Sequence, residues 1–268
     1  MPAQLRQRPE TLADGIHRLM LVDGRRAFVK RRLRAPAGFF AAEADGLGLL
    51  AVAEGMRVPG VHFFDDATLV LEDLGSGQPA PGAWARAGRG LARQHAGGSP
   101  VFGLDRDGWC GDSRQANTPM RDGWRFFAEC RLWPQAVRAR NSGLLASGQV
   151  EVLERLCAEL PAWIPQQPAV LLHGDLWRGN LHVCASGELA LVDAGAVHYG
   201  WAEADLAMLL LFGEPPAEFF SAYREASRID PDWRTRAPVY NLYHLLNHVN
   251  LFGGGYAQAV NDNLRRLA

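Results

Sequence analysis

The sequence predicts an α+β chain in two lobes, a small β-rich N-terminal lobe over 1–74 and a larger, mainly helical lobe over 75–268. Three observations carry this. Residues 16–74 alternate short β-like runs with one helical stretch. A turn-rich segment, GSGQPAPG at 75–82, follows and reads as a hinge. Beyond it, apolar residues recur at helical spacing over six segments.

In chain order, IHRLMLV (16–22) and AFVK (27–30) flank Asp23-Gly24-Arg25 and read as a hairpin. Residues 38–54 carry Phe39, Ala42, Leu47, Leu50 and Ala51 on a helical period, with Pro36 fitting the helix start. VHFF and TLVLEDL, split by Asp65-Asp66, read as a second hairpin. Helices are then expected at about 83–96, 120–139, 144–160, 203–212, 216–227 and 232–249. Short β-like runs at 169–173, 181–184 and 189–193 interrupt them. Gly253-Gly254-Gly255 follows no strand, so it reads as a helix-to-helix turn rather than a phosphate loop. The eight tryptophans are core candidates, except Trp177.

Composition excludes several classes. With 268 residues the chain can bury a sizeable core. A formal net charge of -1 gives no electrostatic case for nucleic acid or a membrane surface. No run approaches the ~20 apolar residues of a membrane span, and MPAQLRQRPE has no apolar leader core, so a cytoplasmic location is expected. Cysteines 110, 130, 157 and 184 form no CxxC pair and read as reduced thiols. The basic run Lys30, Arg31, Arg32 and Arg34 reads as a solvated strand end, Lys30 excepted.

The chemistry concentrates in LLHGDLWRGNLHV (171–183). Phosphoryl transfer needs a carboxylate to accept the acceptor hydroxyl's proton and oxygen ligands for Mg²⁺. His173-x-Asp175-x-x-x-x-Asn180 has the spacing of a kinase catalytic loop, with Asp175 as base and Asn180 as metal ligand. LALVDAG then delivers Asp193 at a strand end, the position of a second metal carboxylate. Upstream, Lys30 closes the strand AFVK, where a kinase lysine holds the α/β-phosphates. Glu43 lies on the apolar early face of the next helix, where burial without a partner would be costly. A Lys30–Glu43 pair resolves that. Backbone groups near Glu72 and Leu74 are placed to read an adenine edge. Asp205 opens DLAMLLLF and either caps that helix or braces the catalytic loop, with His173 as a further support. Trp177, inside the loop, is a candidate pocket wall. His244 and His248 share a helix face without an HExxH motif and read as core or pocket lining, His248 being a candidate substrate contact.

These motifs together go beyond a generic protein-kinase-like fold. HGDLWRGN, VDAGAVHYGWAEADLAMLLLFG and YNLYHLLNHVNLFGGGY, with FVK, FFAAEADGL, LVLEDL, FGLDRDGWCG and WRFFAECRLWPQ in order before them, resemble the fructosamine/ketosamine-3-kinase family from about residue 16 to 258. HGDLWRGN alone would also suit aminoglycoside phosphotransferases and choline kinases. The resemblance implies ATP-dependent, Mg²⁺-assisted phosphorylation of the 3-hydroxyl of a ketosamine such as fructosamine or ribulosamine. The product is unstable and releases the amine, a deglycation repair. It implies Asp175 as base, Asn180 and Asp193 as Mg²⁺ ligands, Lys30 on the ATP phosphates and Glu43 positioning it.

Three departures carry expectations. The family begins with a helix and a glycine-rich GGxI turn, whereas this chain has only ADGIHR, with Gly15 alone to let backbone amides approach the phosphates. Weaker nucleotide affinity or turnover is expected. The usual DPA is Asp193-Ala194-Gly195, which keeps the metal carboxylate. The late start is expected to alter lobe packing. A kinase of an aminoglycoside- or choline-type substrate, or a weakly active pseudokinase, are the competing readings. Oligomeric state is not legible.

Overall fold

Gly15 sits at the first turn of the sheet. In the computed structural model, which describes residues 10–267, β1 (Glu10–Ala13) and β2 (Ile16–Met20) form a hairpin around Asp14-Gly15. Gly15 has φ +71°, and a Cβ there would stand 2.3 Å from the Arg31 carbonyl oxygen, so only glycine fits. β3 (Arg26–Arg31) pairs with β2 in the register Ile16↔Lys30. Helix α1 (Phe39–Leu50) follows, then β4 (Val61–Phe64) and β5 (Thr68–Glu72). The result is an antiparallel sheet in the order β1-β2-β3-β5-β4. Both expected hairpins are present. β1 is additional: its four residues are all exposed and have no apolar alternation to announce it. The segment 1–9, part of the expected N-terminal lobe and the stretch read for an apolar leader core, lies outside the described residues.

The remainder is mainly helical. α2 (Ala83–Gln94) leads to β6 (Gly98–Ser99) and a hairpin of β7 (Gly108–Cys110) and β8 (Ser113–Gln115). One helix was expected over 120–139. The structure has α3 (Gly123–Phe127), a π-helical turn (Ala128–Leu132) and α4 (Trp133–Asn141). The widened turn carries Arg131, which is fully buried. Its guanidinium donates to Asn117 Oδ1 at 2.7 Å and lies 4.6 Å from the centre of the Phe126 ring. α5 (Ser147–Trp163), β9 (Ala169–Leu172), a 3₁₀ turn (Arg178–Asn180), β10 (Leu181–Val183), β11 (Leu189–Leu191) and β12 (His198–Gly200) come next. α6 (Ala202–Leu211), α7 (Ala217–Ala226), α8 (Trp233–Phe252) and α9 (Gly255–Leu267) complete the chain. The turn between α8 and α9 falls at the three glycines, as expected.

Two apolar cores position the site. One lies wholly beyond residue 100 and joins α3, α4, α5, α6, α8 and α9. The other crosses the hinge: Phe40, Leu47, Leu69 and Leu71 from the sheet and α1 pack with Leu171, Leu176, Leu189 and Leu191 around the catalytic loop. Each such buried side chain stabilises by about 1.5–3 kcal/mol. A parallel bridge between Arg57 and Ala190, with Leu191 N donating to Arg57 O at 2.8 Å, ties the two halves at the backbone. The loop that carries Asp175 is thus built against the sheet that carries Lys30. Of the tryptophans, Trp84, Trp201 and Trp233 are buried, the rest partly so, and Trp177 is the most exposed at 39%. Among the described residues no helix is long and apolar enough to cross a membrane.

Candidate active site

Lys30, next to the end of β3, points at α1, and its ammonium donates to Glu43 Oε1 at 2.6 Å. The same ammonium is bonded to Asp193 Oδ1. A lysine from the sheet, a glutamate from α1 and an aspartate from beyond β11 therefore meet at one nitrogen. Burial alone would lower the lysine's pKa. The two carboxylates outweigh it and hold it above the usual value. Burial raises Glu43 against the pull of Lys30. The pair expected from the apolar face of α1 is present, because a carboxylate 6% exposed needs that partner.

The β10–β11 hairpin explains why Asn180 and Asp193 are neighbours. Leu181 pairs with Leu191, and Val192 N donates back to Asn180 O at 3.2 Å, so the residues flanking the two strands are brought side by side. Asp193 has φ +62°, a left-handed conformation that aspartate tolerates better than most residues. Asn180 Nδ2 donates to the Asp175 carbonyl at 2.8 Å, which orients the amide and leaves its oxygen for another ligand.

The catalytic loop is held from behind. Asp205 accepts from His173 N at 2.8 Å and Gly174 N at 2.9 Å. Gly174 has φ +79°, and a Cβ there would meet Ala196 O at 2.1 Å, so the loop can turn here only with glycine. His173 Nε2 donates to Val192 O at 2.9 Å, which leaves Nδ1 to accept from Asp175 N at 3.4 Å. Asp205 is itself reached by His95 Nε2 at 3.3 Å, whose Nδ1 meets Tyr223 Oη at 2.8 Å. Of the two roles open to Asp205 in the sequence, bracing the loop is the one its hydrogen bonds perform; no side-chain cap bond is made at the start of α6. Full burial opposes its charge, but His95 and the loop amides more than compensate, and its pKa is lowered.

Asp175 faces a cleft of about 380 Å³ that is also lined by Gly15, Lys30, Glu43, Trp177, Asn180 and Asp193. Burial raises the Asp175 carboxyl from 3.8 to about 6, with Asp193 and Asp205 adding to the effect and His173 opposing it. His244 Nδ1 lies 3.8 Å from Asp175 Oδ1. Burial, with His248 beside it, pushes that imidazole down to about 3, so it is neutral and the contact is not an ion pair.

Seven sequence-stated residues thus share one cleft, and His173 and Asp205 support it from behind. Three expectations fare differently. Glu72 and Leu74 do not line the cleft: the Glu72 carboxylate pairs with Arg57, and the Leu74 carbonyl accepts from Ala185 N at 2.9 Å. Of the α8 histidines, the one at Asp175 is His244. His248 lies one turn on among Phe212, Phe252 and Tyr256, at ring distances of 4.9, 5.4 and 4.9 Å. His95 and Tyr223 had no motif to mark them, and Cys110, though inside FGLDRDGWCG, was read only as a reduced thiol; the fold alone brings them to the loop.

The residues fit a nucleotide and its metal. Asn180 and Asp193 offer the hard oxygen donors that Mg²⁺ prefers, and Lys30 offers a preorganised ammonium for phosphate oxygens.

Comparison with known proteins agrees. The fructosamine kinase family model matches residues 6–268. A protein of Synechocystis named "Probable ketoamine kinase" is 40% identical over 257 residues, covering 92% of this chain and 84% of its own. The protein-ribulosamine 3-kinase of Arabidopsis thaliana, named as chloroplastic, is 34% identical over 90% of this chain and 76% of its own. A crystal structure of a candidate fructosamine-3-kinase from Thermobifida fusca superposes with a TM-score of 0.91 at 36% identity, covering 98% of this chain and 94% of that one. An aminoglycoside phosphotransferase, APH(4)-Ia, shares the fold at a TM-score of 0.60 and 16% identity, covering 99% and 95%. With its catalytic loop, ion-paired lysine and two-part architecture all in place, the chain belongs to the fructosamine kinase family.

Proposed function

We propose that the protein is a ketosamine 3-kinase, moving the γ-phosphoryl group of ATP to the 3-hydroxyl of a fructosamine or ribulosamine carried on lysine or a small amine. The observation that carries this is the convergence of Asp175, Asn180, Asp193 and Lys30 on one cleft, in a chain whose family relatives are named for ketoamine substrates. We divide the work at residue 74: the sheet and α1 hold the nucleotide, and residues 75–268 hold the catalytic loop and the acceptor. A cytoplasmic location is our assignment, on the four free cysteines.

In this reading Lys30, fixed by Glu43, holds phosphate oxygens, and the Gly15 turn covers them. Asn180 and Asp193 would hold Mg²⁺, which supplies neutralisation of charge on the phosphates. Asp175 accepts a hydrogen bond from the acceptor hydroxyl, orients its oxygen in line and takes its proton as the new P–O bond forms. Trp177 walls the acceptor side and shields it from water. Backbone groups of the segment around Glu72 and Leu74, at the start of the hinge, would read the adenine edge. Mass spectrometry of ribulosyl-lysine incubated with protein, ATP and Mg²⁺ tests the proposal: the adduct gains one phosphoryl group and then releases free lysine. An adduct of unchanged mass refutes it.

A further inference from the structure

Cys110, at the end of β7, Asp175 and His244, on α8, bring a sulfur, a carboxylate oxygen and an imidazole nitrogen within 4.8 Å of one another. Cys110 and His244 are buried, and Asp175 is partly exposed to the cleft. His244 Nδ1 has no hydrogen-bond partner although it is buried and faces the cluster. An unpartnered imidazole nitrogen in such a place is costly. The sulfur is differently treated: Asn247 Nδ2 donates to Cys110 Sγ at 3.3 Å and to Cys110 O at 3.2 Å, and Gln135 Nε2 in turn fixes Asn247 Oδ1 at 3.2 Å. A fixed amide donor aimed at a sulfur is the outer-sphere support that a metal-bound thiolate requires.

The geometry points to a site for a thiophilic divalent cation of the zinc class at Cys110, Asp175 and His244, whose occupation shuts the kinase by taking its carboxylate. Bonds of about 2.0–2.3 Å around a tetrahedral zinc separate its ligand atoms by about 3.3–3.8 Å. The Asp175–His244 separation of 3.8 Å already meets this. The trio, which spans up to 4.8 Å, would close by about 1–1.5 Å on binding. Three protein ligands leave a fourth position for water. Sulfur and imidazole discriminate against Mg²⁺, which prefers oxygen alone and would stay with Asn180 and Asp193. Entry is from the cleft, because Trp109 and Gly111, on either side of Cys110, both line it. Binding converts the thiol to a thiolate and releases its proton to solvent, so one proton leaves per metal bound. Without metal, burial and the nearby Asp175 charge keep the thiol protonated.

The inhibitory half of this inference rests on the proposed kinase activity; the binding half does not. The test therefore begins with Co²⁺ titration of the full chain in excess Mg²⁺, read by absorbance. One equivalent should raise the near-ultraviolet thiolate-to-cobalt band, and added Zn²⁺ should displace it. Cys110→Ser and His244→Gln, each judged against its own metal-free spectrum, should lose the band. That assigns it to this cysteine rather than to Cys130, Cys157 or Cys184. Absence of a thiolate band in the unaltered chain, or its persistence in Cys110→Ser, overturns the site. Zn²⁺ should then reduce turnover at least tenfold in the unaltered chain, while Cys110→Ser with Zn²⁺ matches its own rate without it. A cobalt band with no loss of turnover keeps the binding site and overturns inhibition. A cobalt band in a chain with no kinase activity on any substrate leaves binding established and places the failure with the proposed function.

Discussion

Asp205 holds the two consecutive amides of His173 and Gly174, at 2.8 and 2.9 Å, from a helix that begins some thirty residues later. The loop that presents Asp175 is bonded within itself through Trp177 N to Asp175 O and Asn180 Nδ2 to Asp175 O, and is anchored from outside. Its shape comes from this one buried carboxylate, from the left-handed turn at Gly174 and from the bond between His173 and Val192.

Asp205→Ala should leave two buried N–H groups without partners and cost about 2–4 kcal/mol in urea unfolding. Turnover should fall at least a hundredfold. The folded-state pKa of Asp205 is depressed, so its contribution is present above the unfolded carboxylate value and is lost as pH falls through the folded one. The stability gap between the two proteins should therefore narrow in acid. A constant gap from pH 7 to pH 3 would refute the bracing role.

Lys30 and Glu43 should behave as a coupled pair. Lys30→Met strands a buried carboxylate and should destabilise by about 3 kcal/mol, while weakening ATP binding. Adding Glu43→Gln should restore much of the stability and none of the nucleotide affinity, as a double-mutant cycle would record.

Asp175→Asn should lower kcat by about 10²–10⁴-fold with ATP affinity kept within a few fold, and Asp175→Ala should abolish turnover. Burial disfavours the Asp175 charge, so the folded pKa lies at about 6, above the ordinary 3.8. The cost of that charge is complete above pH 6 and disappears as pH falls through this window. Asp175→Asn should therefore be the more stable protein at pH 7, by up to about 3 kcal/mol for a shift of some two units. The gain should vanish near pH 4. Thermal denaturation at the two pH values checks it.

The pH profile of kcat/KM should carry an acid limb near 6, since the base must be ionised in the free enzyme. An acid limb below 4.5 would contradict the burial argument.

Asp193→Ala should weaken binding of Mg²⁺-ATP at least tenfold by calorimetry while leaving metal-free ATP little changed. Unchanged Mg²⁺-ATP affinity would remove Asp193 from the metal site.

The sequence made the site legible where chemistry and spacing coincide. Asp175 and Asn180 are fixed by a short loop, and Lys30 and Glu43 by a strand end and the one polar position on an apolar helix face. It was silent where only tertiary packing decides. His95 reaches Asp205, and Tyr223 holds His95, because α2 and α7 pack together, and no local pattern encodes that. His244 and His248 are equivalent by helical period; which one meets Asp175 depends on the rotation of α8 against β12 and the loop. The π turn at Ala128–Leu132 is equally invisible, because apolar periodicity continues through it while Arg131 is turned inward. The strands β6, β7, β8 and β12 have two or three residues each, too few to show alternation. Gly15 was legible as the remaining glycine of its loop; that Arg31 N donates to its carbonyl and seats the turn over the end of β3 was not.

The central claim is that Asp175 activates a ketosamine hydroxyl. ATP consumption with Mg²⁺, measured for ribulosamine, fructosamine, an aminoglycoside and choline with Asp175→Ala beside the unaltered chain, tests it most directly. The account predicts turnover on a ketosamine alone, lost in the variant. Turnover on the aminoglycoside or choline in preference to both ketosamines, equal turnover in the variant, or silence on every substrate while ATP still binds would contradict it.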